Sequence, residues 1–398
     1  MTMAAVIEKP VAGVETRSTA SRIALVKILH DMGEAEAIWR ELEQPEQLAT
    51  PYQRFDFQAA WQKHVGPQEG LRPFIVVAYD ADHRPLLLLP LAVGYENGMR
   101  IAKFLGGKHV TFNMALWRRD FAASVTAADL DVVMRAIRAH SEAVDVLALT
   151  RQPRRWGDLS NPLALLPHQT SVNDCPLMTM VPGTPPAERI SNSFRRRLKG
   201  KERKLQSLPG YRYTLASDDA DIKRLLDAFF SIKPLRMAEQ KLPNVFAHPG
   251  IEAFLREACL APLAGGGHAI DIHALECNDE VIAIFAGVAD GHRFSMMFNT
   301  YTMSGNARYS PGLILMRNIV DCYAARGYTS LDLGIGSDDY KRLFCKGDEP
   351  IFDSFLAVSI RGRLAVPALS SLAHAKRLVK QTPVLMQFVQ MLRGILHR

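Results

Sequence analysis

The stretch that most constrains the fold is residues 293–344, which read as strand, turn, helix, strand, glycine turn and short helix. Phe294-Ser295-Met296-Met297-Phe298-Asn299 is rich in large apolar residues and exits into the loop Thr302-Met303-Ser304-Gly305-Asn306, the pattern of a strand and its end. In Arg308-Tyr309-Ser310-Pro311-Gly312, Ser310 suits an N-cap, Pro311 suits the first helical position, and Gly312 leaves the backbone bare for close approach. Leu313, Met316, Val320 and Tyr323 then share one helix face while Arg317, Asn318 and Asp321 share another, and Gly327 closes the helix. The free N–H groups and positive end of such a helix can hold a phosphate, with Arg308 beside them. The chain re-enters a sheet at Thr329-Ser330-Leu331-Asp332-Leu333, turns through Gly334-Ile335-Gly336, and opens a short helix at Ser337-Asp338-Asp339-Tyr340-Lys341.

Elsewhere the order of elements occurs twice without repeated letters. The first half reads as a strand at 22–28, helices at 34–43 and 56–64, and strands at 73–79, 85–93 and 100–105. The second half reads as a strand at 211–215, a helix marked by Ile222, Leu225, Leu226 and Phe229 and capped by Asp218 or Asp219, a helix at 250–260, and strands at 268–277, 281–288 and 294–299. The expected fold class is α/β (α+β), with tandem units of mixed sheets flanked by helices. The expected partition is a flexible lead-in over 1–20, a first unit over 21–186, a second over 187–363 and a basic helical tail over 364–398. After Gly106-Gly107-Lys108-His109 the first half has no Ser-Pro-Gly helix start, so it reads as scaffold and substrate wall. The second half is expected to hold the cofactor.

The richest apolar run, 86–93, is interrupted by Pro90 and stops at Gly94, short of a membrane span, and Glu8 and Pro10 break the order of a secretion signal, so a cytoplasmic protein is expected. Five cysteines without close pairing are expected as reduced, mostly buried thiols, and twelve scattered histidines give no reason to expect a metal. The net charge of +7 belongs to the end of the chain: from Ser354 onward there are seven Lys and Arg and no acid. There Leu372, Ala375, Leu378 and Val379 group together, as do Met386, Val389, Leu392 and Ile395 beyond a break at Pro383, so this tail packs back on the protein or makes a peripheral inner-membrane contact. A 153–186 connection rich in proline leads to a second basic segment at 191–205. Phe194, Leu198 and Leu205 share a stripe there, and Arg195, Arg196, Arg197, Lys199, Lys201, Arg203 and Lys204 cover the rest. Two readings stay open: a solvated helix, or a surface for an anionic substrate such as a nucleotide sugar, phospholipid head group or tRNA.

The run YSPGLILMRNIVDCYAARGYTSLDLGIGSDDYKRLF, residues 309–344, resembles the C-terminal core of GNAT-type acyltransferases of the CelD/BcsL cellulose-biosynthesis kind, relatives of the FemABX peptidyltransferases. It departs from the general acetyltransferase fingerprint, because only Gly312 follows Arg308 where two spaced glycines are usual. The resemblance implies two GNAT-like units, the first degenerate, with acetyl-CoA as donor and no metal. The thioester would lie between splayed strands at 294–299 and 330–333, with Arg308, Ser310, Gly312 and Leu313 at the diphosphate and Phe298 and Asn299 along the arm.

Tyr340, opening the helix after the second splayed strand, is expected to protonate the departing thiolate. Lys341 resembles the lysine of the Fem-type FK motif and is expected to neutralise charge. Asp332 would hold or deprotonate the incoming amine if it faces the gap, Glu276 is a weaker base, and Cys345 a weak nucleophile without a nearby histidine. Arg195, Arg196 and Lys199 are assigned to an anionic substrate. The implied reaction acylates an amine on a small molecule or on a sugar, exopolysaccharide or cell-envelope precursor. The alternatives are an aminoacyl-tRNA-dependent transferase, with tRNA the one nucleic-acid partner, or a non-catalytic member of a polysaccharide synthesis complex. A rival reading comes from LDLGIG, which resembles the first motif of S-adenosylmethionine methyltransferases with Asp338 at the third glycine.

Overall fold

A computed structural model describes residues 21–185, 189–336 and 338–382. The first unit runs β1 (Leu25–Leu29), α1 (Met32–Leu42), α2 (Phe55–His64), β2 (Arg72–Tyr79), β3 (Pro85–Glu96), β4 (Met99–Phe104), α3 (Ala127–Ala139), β5 (Val146–Pro153) and β6 (Gln169–Thr170). Asp31 caps α1 by accepting from the N–H groups of Gly33 and Glu34, and Thr126 and Asp129 form a capping box on α3. β2 and β3 are apolar almost without alternation because both of their faces are covered.

The chain continues as β7 (Cys175–Thr179), α4 (Asn192–Gln206), β8 (Arg212–Leu215), α5 (Asp219–Glu239), α6 (Ile251–Leu260), β9 (Asp271–Cys277), β10 (Glu280–Ala289) and β11 (Arg293–Tyr301). It ends with α7 (Pro311–Ala325), β12 (Ser330–Asp332), α8 (Asp339–Arg342), β13 (Gly347–Glu349), β14 (Ile351–Ala357) and α9 (Ile360–Gln381). One sheet has the order β1-β2-β3-β4-β5-β14-β6, with Leu116–Trp117 beside β3, and the other β8-β9-β10-β11-β12-β7-β13. Each is antiparallel except for one parallel pair directly after its meander, β4 with β5 and β11 with β12. The duplication read from element order is therefore present in the topology.

The expected seam at 186/187 falls outside the described residues, and the sheets are not divided there. β7, in the stretch read as a connection, lies in the second sheet between β12 and β13, while β14 crosses back to pair with β5 and β6. α9 starts at Ile360 with Ser359 as its cap; the lead-in 1–20, Ser337 and the expected break at Pro383 lie outside the described residues. The doubly wound sheet that a methyltransferase needs is not formed, and the turn at Gly334 leads to the four-residue α8.

The units dock through α2 and α6. At Gly250 a Cβ would stand 1.9 Å from the His64 carbonyl oxygen, so this approach requires glycine. The Tyr52 and Ser295 hydroxyls are 2.9 Å apart, and Arg54 donates to the carbonyls of Ala269 and Ala289 at 3.0 and 2.6 Å. One apolar core containing Phe57, Phe254 and Phe298 runs through both units. All five cysteines are free and four are buried.

Candidate active site

β11 and β12 pair over three residues only, Arg293 with Ser330, Phe294 with Leu331 and Ser295 with Asp332. On the other side of β11 the register with β10 shifts, Ala286 facing Phe298 and Gly287 facing Met296, which leaves Met297 as an extra residue. Such a bulge bends its strand. Gly287 is needed beside it, since a Cβ would meet the Ser295 carbonyl oxygen at 2.4 Å. Past this point lies a cleft of about 460 Å³, lined by Met296 to Asn299 on one side and by Leu333, Gly334, Ile335 and Tyr340 on the other. Lys108 to Thr111 and Arg151 of the first unit, with Val245 and Phe246, complete its walls.

Tyr340 is on this cleft with its phenol beside the Asn299 side chain, and burial raises its pKa, which keeps it a proton donor. Phe298 is buried in the lining, and the Asn299 carbonyl accepts from Lys233 Nζ at 3.0 Å. Lys341 differs from expectation. It is buried, and its ammonium donates to the carbonyls of Gly334 and Ile335 at 3.2 and 3.0 Å, with Asp338 at 3.6 Å. It therefore pins the glycine turn, and burial lowers its pKa.

Asp332 is absent from the cleft lining. Fully buried, it accepts from the Ser295 hydroxyl at 2.9 Å and the Gly334 N–H at 3.1 Å, while its Oδ2 has no partner. Burial raises its pKa to about 6. Glu276 is held by Arg212 and Arg224, and burial pushes the Cys345 thiol up to about 12, so neither is available for the roles considered for it.

The start of α7 is also built differently from expectation. Ser310 is left-handed (φ 58°) and makes no side-chain cap; its hydroxyl instead accepts from Lys201 Nζ at 2.7 Å. Pro311 has no N–H, and those of Leu313 and Ile314 bond to the Ser310 carbonyl at 3.1 and 3.2 Å, so fewer donors are free than a bare helix tip would offer. A Cβ on Gly312 would sit 3.5 Å from Tyr301, so the glycine faces the sheet rather than open space. Arg308 is exposed and donates to the Tyr309 hydroxyl at 2.9 Å. Arg195 is likewise engaged, making two bonds to Asp321 at 3.0 and 2.5 Å that fasten α4 to α7. Arg196 and Lys199 are exposed.

Four residues not assigned from sequence belong to the site. Lys201 was counted with the cations off the stripe, but seven residues after Phe194 it falls in line with Phe194, Leu198 and Leu205, a signal that the surrounding run of cations obscured. His109 Nδ1 accepts from the Trp61 indole N–H at 3.1 Å, since indole can only donate, which leaves the imidazole proton on Nε2. Burial, with Lys108 and Arg151 nearby, holds its pKa down to about 4. Arg151 has φ 59° and donates to the carbonyls of Gly107 and Val110 at 3.3 and 3.0 Å. Lys233 is pushed toward its neutral form by burial. Among the described residues no group of His, Cys, Asp and Glu could hold a metal, and no helix is long and apolar enough to cross a membrane.

Residues 192–342 match the family model described as an acetyltransferase (GNAT) domain, from the first residue of α4 to the last of α8. No curated protein sequence matches the chain. The fold is similar to that of FemX, at 9% identity and a TM-score of 0.53 over 85% of this chain and 98% of that one. It is also similar to the C-terminal domain of a protein named as a lysylphosphatidylglycerol synthetase from Agrobacterium fabrum, at 9% identity and a TM-score of 0.50 over 85% and 96%. The bulged and parted strands thus lie within the stretch that matches the acetyltransferase (GNAT) domain model, in a two-unit chain with a fold like that of FemX.

Proposed function

We propose that the protein is an N-acyltransferase that passes the acyl group of acetyl-CoA to an amine held between the two units. The CelD/BcsL resemblance suggests that the amine belongs to a sugar or cell-envelope glycan precursor. The observation that carries the reading is the parting of β11 and β12 at the Met297 bulge, with the Tyr340 phenol on the resulting cleft. Backbone groups released from ladder register can serve a developing oxyanion, and a buried phenol can protonate a departing thiolate.

Along β11, Tyr301 lies two residues past Asn299 and packs at Gly312, so one strand leads from the cleft to the α7 start, where Lys201 supplies positive charge for a diphosphate. The amine must be neutral to attack. Lys108 and Arg151 on the cleft wall oppose its protonation, because like charges disfavour the ammonium form, while Lys341 there is paired with Asp338. Neutral His109 offers Nε2–H to an acceptor oxygen.

Calorimetric titration of acetyl-CoA into wild-type and Lys201→Ala protein tests the reading. Binding is expected to weaken about ten-fold in the variant, through loss of a charge-assisted contact. Absence of binding to both proteins would remove the acetyl-CoA reading. Transfer from an aminoacyl-tRNA would then favour the Fem-like alternative, and no transfer from either donor a non-catalytic role in a polysaccharide synthesis complex.

A further inference from the structure

α9 packs on the body of the protein through Gly362 and Ala373, both buried; a Cβ on Gly362 would stand 1.9 Å from the Asp145 carbonyl oxygen. Its opposite face is uncovered. Ile360, Leu364, Leu372 and Leu378 are 78, 80, 52 and 50% exposed. At about 100° per residue these four fall on one side of the helix with Ala368 and Ala375 between them, in a stripe about 27 Å long. Single exposed leucines are ordinary, whereas an aligned row of large apolar side chains is an interaction surface.

The charges around the stripe are of one sign. Arg361 stands at its N-terminal end, Arg363 borders one side and Lys376 the other, and no Asp or Glu occurs anywhere from Ser354 onward. We propose that this face of α9 docks on an anionic lipid bilayer, with the apolar row at the boundary of head groups and acyl chains and the flanking cations on lipid phosphates. Charge selects this occupant over a second copy of the chain, because a symmetric contact through this face would oppose the same cations with no acid on α9 to answer them.

The surface is also joined to the cleft. Arg377 of α9 pairs with Asp174 at 3.1 Å, and the Asp174 carbonyl accepts from the Gly336 N–H at 3.0 Å, at the end of the glycine turn that lines the cleft. The docking proposal stands independently of what the cleft transfers.

Flotation of the full-length chain with phosphatidylcholine vesicles, with and without phosphatidylglycerol, tests it. Wild type is expected to float with the anionic vesicles and to lose most of that binding in their absence or at high salt. Leu364→Glu/Leu372→Glu should bind about a hundred-fold more weakly, and Arg363→Glu/Lys376→Glu should lose the preference for phosphatidylglycerol. All four positions are exposed, so circular dichroism and unfolding should match wild type. Failure of wild type to float at low salt, or equal binding by the leucine variant, overturns the proposal. Self-association abolished by the leucine substitutions, without vesicle binding, overturns it in favour of a second copy.

Discussion

Replacing Asp332 by Asn separates a structural acid from a catalytic one. Burial raises this carboxyl from 3.8 to about 6 against the opposing effects of Arg293, the Ser295 hydroxyl and the Gly334 N–H. An acid that holds its proton more tightly when folded favours the fold at low pH, and that stability is lost as pH rises from 3.8 through about 6. The rise from 3.8 to about 6 corresponds to about 3 kcal/mol at pH 8, of which about half is already present at pH 5. Asn keeps the shape, can accept from Ser295 and Gly334 through Oδ1, and carries no such penalty. The stability of Asp332→Asn relative to wild type should therefore improve by about 1.4 kcal/mol between pH 5 and pH 8. Urea unfolding followed by tryptophan fluorescence measures this. A difference that is independent of pH, or that shrinks toward pH 8, refutes the burial argument. Turnover that falls about a hundred-fold at unchanged stability would instead restore Asp332 as a base.

Tyr340→Phe should lower acceptor-dependent release of free thiol by about a hundred-fold or more while leaving acetyl-CoA affinity unchanged in calorimetry, since only the proton donor is removed. Arg195→Ala should cost about 1–2 kcal/mol in urea unfolding by leaving Asp321 short of its main partner, with donor affinity unaltered. Arg196→Ala, on the exposed side of the same helix, should stay within about 0.5 kcal/mol of wild type.

Local rules made α7 legible, because Pro311, the apolar period and Gly327 all agree, and the element order exposed the duplication. Strand pairing was harder to read. β7 contains Pro176, which weakens a strand signal even though its neighbours pair on both sides, and nothing in 351–357 announces that β14 belongs with β5. Which cation of a basic helix faces the protein was also obscured. Arg195 looked free but binds Asp321, while Lys201, on the buried stripe, reaches Ser310. Asp332 could not be oriented from alternation alone, because its surroundings include Ser295 from β11, whose hydroxyl also meets Tyr52 from the first unit. Lys341 was expected to neutralise charge at the site; the short α8 instead folds its ammonium back over the preceding turn, a contact set by the turn's path.

The crossing of β7 and β14 between sheets bears on how substrates can enter. A chain that crosses between the bodies near residue 172 and again at Pro350, over one shared apolar core, would have to expose that core to swing one wall of the cleft away from the other as a hinged jaw does. Severing the polypeptide at the middle would likewise leave each fragment without a strand that the other had carried off. In the proposed reaction, donor and acceptor would then pass short rim segments such as the one bearing Val245 and Phe246, while the shared core holds the frame that aligns the reacting groups.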